Sequence, residues 1–336
     1  MRFQGISLEE LEELEQELLD LGETRLGSLS YSKIEVYDAM HSELEELVQG
    51  DDDYAAYYTY IKKKLVSYLL RYGGQASSNL TIYEDTEKRL KKVLSYDSQN
   101  PVAAYRLGFL AYRSGTYWEA AAYLQQALNS QTFYSDERFL LNAEQISRAV
   151  MYITNSALHT AVRGEVPTSD FMAGQVSSTS LSTQLCYNDG MLKSQEYRIT
   201  TLFGSVLCSK EESEDAPMQD VISLKFNKFG AILTYNGIAE QLTSIQANTL
   251  RYLLVKTRKG QAATPWSLKD YFLFTHVITG VPEETFLLVI SEVKQILAEM
   301  EIPASIQVAE NVESGFYFDG SSPFVVIDRV DEELPL

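Results

Sequence analysis

Pro101-Val-Ala-Ala-Tyr-Arg-Leu-Gly-Phe-Leu-Ala-Tyr-Arg-Ser-Gly-Thr-Tyr-Trp-Glu-Ala-Ala-Ala-Tyr-Leu-Gln-Gln-Ala-Leu128 reads as two short helices hinged at Ser114-Gly115. Glycine is a helix-stop signal, and helical spacing resumes at once beyond it. Small residues stand where two such helices must touch: Gly108 on the first, Ala120 and Ala127 on the second. Leu107, Tyr117 and Leu124 supply the bulk between them.

The pattern has a weaker copy upstream. A helix expected from about Thr81 to Tyr96 carries Tyr83, Leu90 and Val93, in the positions that Tyr117, Leu124 and Ala127 hold 34 residues later. The helix around residues 60–72 would be the first half of that degenerate repeat. The arrangement resembles the tetratricopeptide (TPR) repeat, a unit of about 34 residues. The resemblance implies a curved helical surface that holds other proteins and carries no chemistry of its own. Stacked repeats need about three units and atypical end caps. Flanking helices meet that need. Ser7-Leu-Glu-Glu10 fits a capping box, and Leu8, Leu11, Leu14, Leu18 and Leu21 follow at helical spacing. A second helix is expected from about Lys33 to Val48. A third, started by Asp51-Asp-Asp53, spans Tyr54–Tyr72, and Asp136 to about Val162 reads as one long helix or a pair.

Periodicity is lost between Gly164 and Gln195, where Ser177-Ser-Thr-Ser-Leu-Ser-Thr183 is polar and low in complexity, as in a linker. From Glu196 short alternating runs suggest strands at Tyr197–Phe203, Gly204–Cys208, Val221–Phe226 and Ala231–Tyr235, with an acidic loop at Glu211–Pro217. Asn236-Gly237 is a hairpin-turn signal. A helix through Leu250, Leu253 and Leu254 follows, then a short one after Trp266-Ser267, a long one from Pro282 to Met300, and a closing hairpin. The expected fold class is α+β: a TPR-like helical domain over 1–163, a linker over 164–195 and a second α+β domain over 196–336.

The order of elements over about 221–320 resembles the winged-helix domain of the OmpR-like response-regulator class, whose members commonly bind DNA. The matching residues are Ile232-Leu-Thr-Tyr-Asn-Gly237, Leu242-Thr243, Leu250-Arg-Tyr-Leu-Leu254, Val289–Leu297 and Gly315-Phe-Tyr317. TPR-like helices and such domains occur together in bacterial regulators, although here the winged domain follows the helices. The resemblance would make Pro282–Met300 the groove-reading helix and Ala304–Phe318 the wing. Phe286, Ile290, Val293, Leu297 and Met300 form its apolar stripe; the other faces show Glu283, Glu284, Leu287, Leu288, Glu292, Lys294, Gln295 and Glu299. A groove reader needs cations toward phosphates and Arg, Lys, Asn or Gln toward bases. Each glutamate there adds repulsion instead. The wing carries Glu310, Glu313 and Asp319 and no Lys or Arg. The nearby basic cluster of Lys256, Arg258 and Lys259 could grip a phosphate or an acidic partner, or complement the end of its helix.

Composition narrows the function classes. The chain has 336 residues, a net charge of −19 and 22 tyrosines. Residues 1–50 hold 13 acids and 3 bases, and residues 301–336 hold 8 acids and 1 base. Such a molecule is repelled by nucleic acid and anionic lipid unless its bases are concentrated locally. Cys186 and Cys208 lack metal spacing, as do His41, His159 and His276. No Gly-rich phosphate loop, HExxH or GxSxG occurs. The start is unlike a signal peptide and no run is long enough to span a membrane, so the expected location is the cytoplasm. No enzyme, cofactor, metal or membrane partner is expected. The reading is a non-enzymatic protein-interaction adaptor, with groove contacts at Tyr105, Arg106, Tyr112 and Arg113 and, at Leu287 and Leu288, either a docking contact or packing against the helical half. Solvent-facing or seam positions are the plainer reading of the first four. The alternative is a TPR-containing transcription regulator that binds DNA through Lys256, Arg258, Lys259 and Lys294. A homodimer stays open.

Overall fold

The computed structural model describes residues 6–20, 28–49, 52–72, 82–163, 178–214, 219–227, 230–258, 260–268, 283–303, 306–310, 312 and 314–332. Over these the chain is α+β. The helices are α1 (Leu8–Asp20), α2 (Ser28–Val48), α3 (Ala55–Tyr72), α4 (Ile82–Tyr96), α5 (Pro101–Ser114), α6 (Tyr117–Gln131), α7 (Ala143–Arg163), α8 (Ser178–Ser194), α9 (Lys210–Glu214), α10 (Ser244–Lys256) and α11 (Glu283–Glu299). The strands are β1 (Tyr197–Thr201), β2 (Gly204–Cys208), β3 (Ile222–Asn227), β4 (Gly230–Tyr235), β5 (Ile238–Leu242), β6 (Ile306–Val308), β7 (Phe316–Phe318) and β8 (Phe324–Arg329). Two compact units divide the chain: Met1–Asp85 with Thr200–Gly204 and Pro217–Ile327, and Thr86–Ile199 with Ser205–Ala216 and Asp328–Leu336.

In the first unit the start of α1 is the capping box read from the sequence. The Ser7 amide donates to Glu10 at 3.0 Å and the Glu10 amide to Ser7 Oγ at 3.4 Å. Leu11, Val36, Met40, Leu44, Ile61 and Leu65 bury the seams of α1, α2 and α3. Glu15 joins the three helices, accepting from Lys64 Nζ at 2.8 Å and from Tyr37 OH at 2.6 Å. Downstream, β3 and β4 pair antiparallel, as do β4 and β5. Asn236 and Gly237 both take positive φ (46° and 83°), as a two-residue turn of type I′ demands. The first four residues of β8 pair in parallel with β3, so the sheet is mixed. Thr243 and Gln246 form a capping box that starts α10. Phe286, Ile290, Val293, Leu297 and Met300, the apolar stripe expected on the long helix, are all buried.

In the second unit α5, α6, α7 and α8 pack in chain order, and α5 also touches α7. Asn100 caps α5, its side chain accepting from the Ala103 amide at 3.0 Å, and Pro101 takes the position where no amide is required. Gly115 ends the helix with φ 81°, a left-handed conformation that glycine adopts without a Cβ clash. Ala120, Leu124 and Ala127 are fully buried, and Leu124 lies against Gly108 of α5. The long element expected after them is a 3₁₀ turn at Glu137–Phe139 followed by α7.

Four sequence expectations change. The first part of the acidic stretch expected as a loop, Glu211–Glu214, lies in helix α9. The polar stretch taken as linker contains α8, whose Leu185 and Leu192 are buried. Strand β5 follows the Asn-Gly turn instead of leading directly to a helix, because the turn closes a hairpin and returns the chain beside β4. The chain does not end on the β6–β7 hairpin but continues into β8, whose Phe324, Val326 and Ile327 are buried. The short helix expected after Trp266-Ser267 lies outside the described residues.

A Cβ built at Gly108 would stand 2.5 Å from Leu124 Cγ, so the two helices approach too closely for any side chain there. Gly108→Val is expected to cost about 1–3 kcal/mol. At Gly190, on α8, a Cβ meets nothing within 4 Å, so Gly190→Ala is expected to gain about 0.5–1 kcal/mol from helix propensity. Urea unfolding of the two variants measures both.

Candidate functional site

Helix α7 carries Gln145, Arg148, Tyr152, Asn155 and His159 at alternating three- and four-residue spacing, which places all five on one face. That face is turned inward, with Gln145 and Asn155 at 0% and Arg148 and Tyr152 at 3% exposure. Polar groups buried in this way must find partners, because an unmade hydrogen bond in the interior carries the full desolvation cost. Four of the five meet two aspartates from other parts of the same unit, and Gln145 meets the Val330 carbonyl.

Asp331 is the first. It lies in the segment Asp328–Glu332, whose last three residues form a 3₁₀ turn. Val330 and Asp331 are wholly buried. Arg148 grips the carboxylate in a fork, Nε to Oδ1 at 2.9 Å and Nη2 to Oδ2 at 2.7 Å. Tyr152 OH donates to Oδ2 at 3.0 Å, and Tyr105 OH, from α5, donates to Oδ1. The backbone is held too. Gln145 Nε2 donates to the Val330 carbonyl at 3.3 Å, and the Val330 amide donates to the Glu196 carbonyl at 3.2 Å. Arg148 is aimed by further groups, since Nη1 donates to the Gln195 carbonyl at 2.9 Å and Nη2 to Tyr152 OH at 2.7 Å. Burial disfavours its charge, but the bonds and charge of Asp331 outweigh burial and hold its pKa above the usual value. Burial first, and then the Asp331 charge, push the Tyr105 and Tyr152 hydroxyls well above theirs.

Asp189, on α8, is the second. Tyr112 stands seven residues beyond Tyr105 on α5 and donates to Asp189 Oδ1. Asn155 Nδ2 donates to the same oxygen at 3.1 Å, and His159 Nε2 lies 3.2 Å from Oδ2. The Tyr117 ring stacks on His159 with centroids 3.8 Å apart and planes within 4°. Chemically, the arrangement binds carboxylates: tyrosines from α5 and polar groups from α7 converge on one aspartate after another.

Of the four residues named on α5, Tyr105 takes the seam position. It has no exposed surface, and its hydroxyl donates to Asp331 of the same chain. Tyr112 and Arg106 are half-buried. Arg113 is exposed, 3.7 Å from Glu196 and over the Phe109 ring at 5.6 Å. Sequence reasoning missed Gln145, Arg148, Tyr152 and Asp331. The legible signal was the run of polar side chains along one stripe of α7, among apolar residues such as Ala149 and Leu158.

In the first unit the exposed surface of α11 carries Glu283, Glu284, Leu287, Leu288, Gln295 and Glu299, with Leu287 at 39% and Leu288 at 56% exposure. Glu292 is half-buried and accepts from Gln246 at 3.0 Å. Lys294 lies over the Phe316 ring at 4.8 Å, and burial lowers its pKa. Its charge is therefore spent on an aromatic face. Lys256 and Arg258 are exposed, and Arg258 Nη1 donates to the Leu254 carbonyl at 3.2 Å, at the C-terminal end of α10. Lys259 lies outside the described residues. Among those residues no group of three or more His, Cys, Asp or Glu is placed to hold a metal, and no helix is long and apolar enough to cross a membrane.

No protein-family model, curated protein or solved structure matches the chain.

Two outcomes are expected. Removing one partner of the buried Arg148–Asp331 pair, by Arg148→Met or Asp331→Asn, costs about 3–5 kcal/mol, and Arg148→Met with Asp331→Leu costs less than the sum of the single changes. Denaturant titration decides this. The contribution of the Tyr105 and Tyr152 hydroxyls to stability is fully present below about pH 10 and is lost above it, since the unfolded chain ionises its tyrosines there while these two stay neutral in the fold. Phenolate absorbance should show fewer tyrosines titrating in the native protein than in urea.

Proposed function

We propose that this protein is a non-enzymatic interaction adaptor of the cytoplasm. Its TPR-like helices hold a partner polypeptide, and the region of β3–β5, α10, α11 and the β6–β7 hairpin, which resembles a winged helix, is a second docking module. The observation that carries the reading is the surface of α11. The helix that would read a DNA groove exposes three glutamates and two leucines, and its lysine is turned onto Phe316. Counterion release, the main source of affinity for DNA, requires cations at that place. Exposed leucines beside acids suit a protein contact, whose core is apolar and whose rim is charged.

A second reading, a transcription regulator, draws support from the order β3, β4, capped α10, α11, hairpin. Its cations would be Lys256, Arg258, Lys259 and Lys294, and charge opposes it. Gel shift with pooled genomic fragments at about 50 mM salt separates the two. No retarded band is expected; a dimeric, salt-sensitive complex would establish the regulator. In native co-purification, Leu287→Asp with Leu288→Asp is expected to lose at least one stable companion while keeping the fold. A companion set unchanged by the pair would remove α11 from the interface.

A further inference from the structure

The groove between α5 and α7 is built like a peptide receptor and already contains a peptide. Its donors come from helices, whereas its occupant, Arg329-Val330-Asp331, arrives from a segment more than 165 residues farther along the chain. We propose that this groove recognises a short acidic peptide in which a basic residue, an aliphatic residue and an aspartate follow one another, and that Arg329–Asp331 is its resident, displaceable occupant. The proposal rests on the reading of the helical region as a polypeptide-binding surface, and it names the chemistry of the ligand.

Each position of the occupant meets a matched feature. Arg329 lies over the rings of Phe109 and Tyr197, 5.4 and 5.7 Å from their centroids, and pairs with Glu196. Val330 is wholly buried while both of its peptide groups are hydrogen-bonded. Asp331 enters the fork of Arg148, flanked by the two tyrosine hydroxyls. The receptor is preorganised, because Arg148 is oriented by the Gln195 carbonyl as well as by its ligand. A guanidinium held in this way recognises carboxylate geometry and not merely negative charge. The pairing of β8 with β3 stops at Ile327, so exchanging Arg329–Asp331 leaves it intact. A partner bearing the same tripeptide pattern makes the same contacts.

The test uses a fluorescein-labelled peptide, Asp-Arg-Val-Asp-Glu-Glu, and the full chain. Fluorescence anisotropy should show binding to the Asp331→Ala chain. The same peptide with its second aspartate changed to asparagine should bind at least about ten-fold more weakly. The native chain should also bind at least about ten-fold more weakly, since its own segment competes and only the open fraction is competent. A folded Asp331→Ala chain, with unchanged circular dichroism, that ignores the peptide or fails to distinguish the two peptides overturns the proposal. Should that variant not fold, hydrogen exchange on the native chain decides. At about 1 mM peptide the Val330 amide should exchange faster while α5 and α7 keep their protection; an unchanged Val330 rate overturns the proposal. Neither measurement touches α11, so failure here is separate from failure of the adaptor reading, which the gel shift and the leucine variants test.

Discussion

A carboxylate with no access to water is tolerable only if charge and hydrogen bonds replace the water it has lost, and the second unit is organised around that requirement at Asp331. Arg148 supplies the charge, and Tyr105 and Tyr152 complete the shell. None of these groups is comfortable alone. Arg148 without Asp331 is a buried cation, and the two hydroxyls are kept neutral by burial and by the charge they face. The consequence is a mutual dependence of α5, α7 and the segment after β8 that apolar packing alone would not impose, since apolar contacts tolerate rearrangement and a forked ion pair does not.

The same construction appears twice more at different depths. Tyr112 and Asn155, with His159 beside them, repeat the arrangement around Asp189, and this ties α8 to α7. In the first unit Lys64 and Tyr37 converge on Glu15 and tie α3 and α2 to α1, with the lysine also over the Tyr37 and Tyr60 rings at 5.3 and 4.7 Å. Tyrosine suits this use because its ring packs like a hydrophobe while its hydroxyl donates to a buried acid. This gives many of the chain's tyrosines a role as internal donors, and for Tyr105 it replaces the open contact surface that its helix position suggested. A groove built from donors for carboxylates is also a groove with a chemical preference, which links this packing device to the proposed recognition of acidic peptides.

Charge separates the two faces on which the functional proposal stands. Between α5 and α7 the buried guanidinium of Arg148 holds an acid of the same chain, while α11 shows acids and leucines to solvent. In a chain of net charge −19 this contrast matters, because long-range repulsion acts on every polyanion and only local cations can overcome it. The order of elements concerns shape, and the arrangement of charge concerns what that shape can hold.

Much of the local structure was written in the sequence, and for a physical reason: its signals act within about four residues. Ser7 with Glu10 and Asn236-Gly237 each close their hydrogen bonds or set their dihedrals before any tertiary contact is needed. Gly108 and Leu124 were legible too, because two helices joined by a short hinge have little choice but to meet. The placement of β8 beside β3 and the existence of α8 were not. Phe324-Val-Val-Ile327 is apolar enough for a strand, but nothing local says which neighbour it pairs with; α8 is polar, and Asp189 and two leucines hold it in place. Least legible was the bond between Arg148 and Asp331, since a charge finds its counterion by distance in space, and only the folded chain brings residues so far apart in sequence to within 2.7 Å.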